Sequence, residues 1–238
     1  MSLAKSFNTR PLYQQVADEF VSRIVSRRWA PGQSIENEAD IARSLGISLG
    51  TVRKAFDILT ERKLLERHQG KGTVVADFEG SKMRSRFSSI FDRSGHRISG
   101  EIELANVVLD MARPAATEAL QVNARTPVLQ FERRRTHLGR VFMTEEVFLR
   151  VDASVRQMAQ ADLEAVASAR WTGQDLATHK AEKLTAEMAT AADRRNFKLA
   201  EGAAVVCLTR VICSYQDRPL ELRYARCHLG SDLVYGTE

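Results

Sequence analysis

Three observations predict an α+β chain of two domains. Up to about residue 60, apolar side chains recur at helical spacing, and a short glycine-tipped hairpin follows. From about Ile98 the pattern changes to strands alternating with single helices. Between the two lies Asp77 to about Gly95, polar, basic and poor in aliphatic residues. The expected organisation is therefore residues 1–76, a linker over 77–97, and a second domain over 98–238.

The first helix is expected from Pro11 to about Arg28, where Leu12, Val16, Phe20 and Ile24 recur at i+4 and Trp29-Ala30-Pro31-Gly32 ends it. A second helix is expected over Glu38–Leu45, with Gly46 as its stop. Ser48 then caps a third, whose inner face is Val52, Ala55, Phe56 and Leu59. Two helices joined by a tight glycine turn form the helix-turn-helix pattern. The outer face of the third helix presents Leu49, Gly50, Thr51, Arg53 and Lys54 where major-groove readers carry their contacts. Lys63–Arg67 and Thr73–Val75 are expected as strands flanking the tip His68-Gln69-Gly70-Lys71-Gly72. A cationic tip of this kind suits a minor groove or a line of phosphates, and the motif as a whole is a winged helix-turn-helix.

The charge division agrees with a polyanion at this end. Residues 1–76 hold 12 Lys/Arg against 8 Asp/Glu, residues 77–97 hold 5 against 3, and the remainder holds 18 against 19. No apolar run is long enough to span a bilayer, and MSLAKSFNTR does not resemble a signal peptide, so a cytoplasmic protein without a membrane partner is expected. The three cysteines, Cys207, Cys213 and Cys227, form no CxxC and are expected as free thiols. The five histidines are scattered without metal-ligand spacing. With no nucleophile motif and no Gly-rich phosphate loop, neither an enzyme nor a cofactor is expected, and no catalytic or metal residues are assigned.

In the second domain, strands are expected over Gly100–Leu109, Val128–Arg135, Val141–Leu149, Val205–Ser214 and Pro219–His228. Helices are expected over Ala115–Leu120, Val155–Ala167 and Ala191–Leu199. The two halves echo each other: EALQVNARTPVLQFERRR aligns with RNFKLAEGAAVVCLTRVI, placing Arg133 over Arg210, and one gap brings Glu145 near Glu221. Alternation puts Leu129, Phe131, Arg133 and Arg135 on one strand face, and Met143, Glu145 and Val147 on another, with Arg133 almost opposite Glu145. Arg210 shares its face with Val206, Leu208 and Ile212. Charges on apolar faces are either paired internally or meet a ligand, because an isolated buried charge is very costly. Both readings stay open at this point. The Ser88-Ser89 turn in the linker offers hydroxyl and backbone N–H groups to an anion, or is an ordinary Ser-rich linker.

PLYQQVADEF, the PGQ turn, ENEADIARSLGISLGTVRKAF and HQGKGTVV, over about residues 10–75, resemble the DNA-binding domain of the GntR family of transcription regulators. The resemblance implies DNA contacts from the start of the second helix (Glu38), from Ser48, Thr51 and Arg53, and from the wing, Gln69, Gly70, Lys71, Gly72 and Thr73. Three positions depart from the pattern. Ala39 and Leu49 stand where the family usually has arginines, and Lys63 stands where it commonly has glycine. A shifted operator preference or weaker binding is therefore expected, since leucine cannot bond a phosphate or guanine although it can pack on a thymine methyl.

Residues 98–235 resemble the UTRA domain of the HutC subgroup through Thr126-Pro127-Val128, Arg-x-Arg at 133–135, Gly139 before Glu145, Gly202 before Arg210, and Pro219-Leu220-Glu221. The resemblance implies an antiparallel-sheet, chorismate lyase-like fold used for effector sensing. Its implied pocket residues are Arg133, Arg135, Glu145 and Glu221, with Tyr224 and Ser88-Ser89 beside them. Arg140-Val141-Phe142 departs from the Pro that often enters that strand. The expected function is a homodimeric regulator, most simply a repressor, that binds double-stranded operator DNA under control of a sugar phosphate, carboxylate or similar small anion. The alternatives are an effector-independent DNA-binding protein and a lyase-like enzyme.

Overall fold

The computed structural model describes residues 10–70, 72–77, 87–169 and 176–236. The chain divides into two compact units, Met1–Gly80 and Ser81–Glu238.

In the first unit α1 spans Leu12–Val25, α2 Glu38–Leu45 and α3 Leu49–Glu61, followed by β1, Leu65–His68, and β2, Gly72–Val75. α1 stops short of the expected Arg28 because Arg27 takes a left-handed φ of 62°. The chain then folds back so that Trp29 packs on Phe20, with ring centroids 5.0 Å apart, and Phe20 meets Phe56 of α3 at 5.5 Å. The side chain of Asn37 accepts from the Asp40 N–H at 2.9 Å, which starts α2, and Gly46 at φ 63° ends it. Ser48 caps α3 by accepting from the Thr51 N–H at 3.1 Å, and Val52, Ala55, Phe56 and Leu59 are buried beneath it. β1 and β2 pair antiparallel, from Leu65 opposite Val75 to His68 opposite Gly72.

β1 begins later than expected because Lys63 sits at φ 56°, turning the chain between α3 and the strand. A left-handed lysine costs about 1–2 kcal/mol relative to the right-handed form. Glycine removes that cost but gives back about 0.4–1 kcal/mol in unfolded-chain entropy. Lys63→Gly is thus expected to raise the stability of this unit by at most about 1.6 kcal/mol, seen as an upward shift of its denaturant midpoint; a lowered midpoint would count against the strain.

The second unit is built on a six-stranded antiparallel sheet. Its strands are β4 (Glu101–Met111), β5 (Pro127–His137), β6 (Arg140–Leu149), β7 (Ala177–Met188), β8 (Ala204–Ser214) and β9 (Pro219–Cys227), in the order β4-β5-β6-β9-β8-β7. α4, Pro114–Leu120, links β4 to β5, and α6, Ala191–Phe197, links β7 to β8. Each half is thus strand, helix, strand, strand, and the halves meet along β6 and β9. This is the echo seen in the sequence. Its register differs from the alignment: Arg133 lies opposite Glu145, while Arg210 lies opposite Arg223, so Arg223 and not Glu221 holds the place of Glu145.

The expected helix over Val155–Ala167 is two pieces. A 3-10 turn over Ala153–Gln157 ends at Met158 in an extended conformation, and α5 covers Gln160–Ala169. α5 packs Leu163 and Ala167 on Val107, Leu129, Phe131, Val147 and Leu149 of one sheet face. A small two-stranded sheet, β3 (Ile90–Asp92) with β10 (Leu233–Tyr235), brings Ile90 and Leu233 onto Met143, Leu208, Ala225 and Cys227. α4 packs Ala116 and Leu120 on Val128, Phe148 and Leu222 of the opposite face.

The linker assignment is corrected by β3. Phe87, Ser88, Ser89 and Ile90 are buried, and residues 87–97 belong to the second unit. Their partners are on β10 and β7, far along the chain, which local composition does not reveal. No helix among the described residues is long and apolar enough to cross a membrane.

Candidate functional site

On the first unit, the outer surface of α3 is organised by Glu38. Its carboxylate accepts from Arg53 Nε at 3.0 Å and from Arg67 at 3.2 Å, and Arg67 also reaches Asp57 at 2.7 Å. Glu38, the first residue of α2, therefore holds two arginines in place, and its own oxygens are turned to them. Arg53 is engaged through Nε, leaving its terminal nitrogens toward the outside, with 61% of the side chain exposed. The Lys54 ammonium lies 5.6 Å from the centre of the Tyr13 ring. Ser48 and Thr51 hydroxyls bond each other at 2.8 Å, so both are tied into the cap. Leu49 and Gly50 are exposed. At the wing, His68, Gln69, Gly70 and Gly72 are exposed, the glycines sit at φ 79° and 82°, and Thr73 lies opposite Arg67. Lys71 lies outside the described residues. Arg53, Arg67 and the exposed hairpin tip are group types suited to a phosphate backbone and base edges.

On the second unit, one sheet face carries Arg133, Arg135, Glu145, Arg210, Glu221 and Arg223, all buried. Glu145 takes Arg135 Nε at 2.7 Å and Arg133 Nε at 2.9 Å, with Arg223 at 3.9 Å. Glu221 meets Arg133 at 3.3 Å and Arg223 more closely. Glu182 of β7 pairs with Arg210, accepts from Ser89 Oγ at 2.6 Å and from the Tyr235 hydroxyl at 2.8 Å, and meets Lys180 at 3.2 Å. Burial alone would raise the pKa of Glu145, but Arg133, Arg135 and Arg223 outweigh it and hold the carboxyl well below the usual range. Burial likewise pushes Glu182 up, and Arg210 with the Ser89 hydroxyl brings it below its ordinary value. Burial and then Arg210 lower the Lys180 ammonium. The result is a buried cluster of arginines and carboxylates, group types that recognise anions and hydroxyl or amine groups respectively.

Of the residues expected here, Arg133, Arg135, Glu145, Arg210 and Glu221 are brought together, and Ser89 joins them through Glu182. Ser88 does not: its hydroxyl donates to the Ile98 carbonyl and accepts from the Ile90 N–H, closing the turn. Tyr224 does not either. Strand alternation turns it to the other face, where its ring meets Phe148 at 6.2 Å and lines a groove of about 640 Å³ with Glu132, Thr144, Glu146 and Arg226. Sequence reasoning missed Arg223 and Glu182. Arg223 was within reach, because it shares its face with Glu221 at spacing two. Glu182 was not, because AEKLTAEM in β7 has the composition of a helix.

Comparison with known proteins agrees with both units. The family model described as bacterial regulatory proteins, gntR family, matches residues 12–75, and the UTRA domain model matches residues 98–230. The HTH-type transcriptional regulator SmoD of Agrobacterium fabrum is 42% identical over 65 residues, 27% of this chain and 28% of that protein. The histidine utilization repressor of Pseudomonas aeruginosa is 37% identical over 90 residues, 37% of this chain and 36% of that one. The chain thus spans about a third of the length of these relatives. The ligand-binding domain of a GntR-family regulator from Bordetella bronchiseptica shares the fold, with a TM-score of 0.54 at 18% identity, over 65% of this chain and 98% of that domain. Residues 12–75 and 98–230 therefore place this chain in the GntR family of transcription regulators, in its HutC-type branch carrying a UTRA domain.

Proposed function

We propose that this regulator binds double-stranded operator DNA through α3 and the wing, and that its affinity is set by a small anionic metabolite held in the second unit. One observation carries the effector reading. Among the described residues, the buried face gathers Arg133, Arg135, Arg210 and Arg223 around only three carboxylates, Glu145, Glu182 and Glu221, so it carries excess positive charge without a ligand. Buried charge of one sign is costly, and an incoming carboxylate or phosphate relieves it while accepting several charge-assisted hydrogen bonds. The family's use of UTRA domains for effectors supports the same reading.

Two copies, each presenting one winged helix, match a palindromic operator, since two-fold protein symmetry calls for matching half-sites. Regulation follows only if the ligand favours one DNA affinity state over the other.

A thermal-shift screen of sugar phosphates and carboxylates on the full chain tests the effector role. A ligand present at 100 times its Kd is expected to stabilise by about 2.7 kcal/mol, visible as a rise in Tm, and to change operator affinity. Arg210→Met is expected to abolish that rise. Anions that leave both Tm and operator affinity untouched would sink the effector reading.

A further inference from the structure

At the first turn of α3 the polar side chains are turned inward on themselves. Ser48 Oγ accepts from the Thr51 N–H at 3.1 Å and shares a 2.8 Å hydrogen bond with the Thr51 hydroxyl. What this turn presents outward is apolar: Leu49 is 40% exposed, and Leu45, the last residue of α2, is 37% exposed. Ala39, the second residue of α2, is exposed and carries no polar group. The next residue, Gly50, is not demanded by the fold. It has no left-handed φ, and a Cβ placed on it would meet only Ser48 Oγ at an ordinary 3.9 Å. Glycine inside a helix weakens it relative to alanine, and where the backbone does not need it, close approach of a ligand is its remaining use.

Resting on the operator-binding reading above, we infer that Leu49 is a specificity-determining residue that packs on the 5-methyl group of a thymine in each half-site, and that Gly50 lets the helix come close enough for that contact. The major-groove edge of thymine is the one that carries an apolar group, so an exposed leucine at this position selects it over the other bases. Arg53, fixed by Glu38 one turn along, supplies the polar contact, and Leu49 supplies the discrimination.

The test uses the full chain and operators selected from a random duplex pool. In the selected operator each thymine is replaced singly by deoxyuridine, which removes only the methyl group. One thymine per half-site is expected to lose about fourfold in affinity on losing its methyl, the worth of burying one such group. In Leu49→Ala the same replacement is expected to change nothing. Leu49→Arg is expected to move the preference at that base pair from thymine to guanine, and Gly50→Ala to weaken operator binding while Tm stays the same or rises. If no thymine is methyl-sensitive in the wild type, or if the sensitivity survives in Leu49→Ala, Leu49 does not read the base. A pool with no enriched sequence overturns the operator-binding reading along with this one, whereas an enriched operator indifferent to methyl removal overturns this one alone.

Discussion

Glu145→Gln is expected to destabilise the second unit by about 3–5 kcal/mol at neutral pH, a large fraction of the stability of a domain of this size. The carboxylate is buried and receives Arg133, Arg135 and Arg223, so its neutral replacement takes a counter-charge away from three guanidinium groups at once. Removing one partner of a buried charge cluster costs far more than the cluster contributes net, because the remaining charges stay out of water. The pH dependence has a definite sign. The folded pKa of Glu145 lies well below its ordinary value of 4.5, so its contribution is present above about pH 4.5 and lost as pH falls toward the folded value. Denaturant unfolding between neutral and acid pH should therefore show the wild type losing stability below about pH 4.5 more steeply than Glu145→Gln, the gap between them narrowing. Parallel curves for the two proteins would mean that the pKa of Glu145 does not change on folding, and a wild type that instead gained on Glu145→Gln as pH fell would mean that the carboxyl is neutral in the folded state.

Arg53→Ala is expected to lower operator affinity by about 10- to 100-fold, the range of a good arginine contact to a base edge or phosphate. Its side chain is exposed, and Glu38 holds it by one edge only. Should Arg53 meet a phosphate, the dependence of log affinity on log salt should flatten by about one unit; should it meet guanine, binding should weaken most at one base pair. Glu38→Gln is expected to weaken binding less, since it frees the arginine without removing it. Fluorescence anisotropy at several salt concentrations separates these outcomes, and unchanged affinity and slope in Arg53→Ala would remove the residue from the interface.

Where local chemistry decides a structure, this sequence is legible. α2 runs from Glu38 to Leu45 as expected, because its stop residue, Gly46, acts within one turn of itself. The opposition of Arg133 and Glu145 was nearly readable: the tight hairpin at Leu138-Gly139, both at positive φ, alone would set Arg133 against Thr144, and a register shift between Arg135 and Thr136 brings Glu145 opposite. Legibility fails where the partner is distant. β7 owes its extended form to pairing with β8, against the preference of its Ala, Lys and Glu residues, and so Glu182 was hidden. β3 looked like linker because Ile90 finds its burial on Leu233. The misplacement of Tyr224 was of another kind, since spacing along β9 already separates it from Glu221 by an odd number of residues and hence by a face of the sheet.

The seam between the two halves has one more consequence. Arg133 of the first half reaches Glu221 of the second, and Arg223 of the second reaches Glu145 of the first. Each of these cations also meets a carboxylate of its own half, Arg133 at Glu145 and Arg223 at Glu221, so the cross-contacts join two ion clusters into one across β6 and β9. A slip of one residue along that seam would turn the second half's charges outward and leave the first half's stranded. The ion cluster thus ties the two halves to a single register, in which each buried arginine meets a carboxylate.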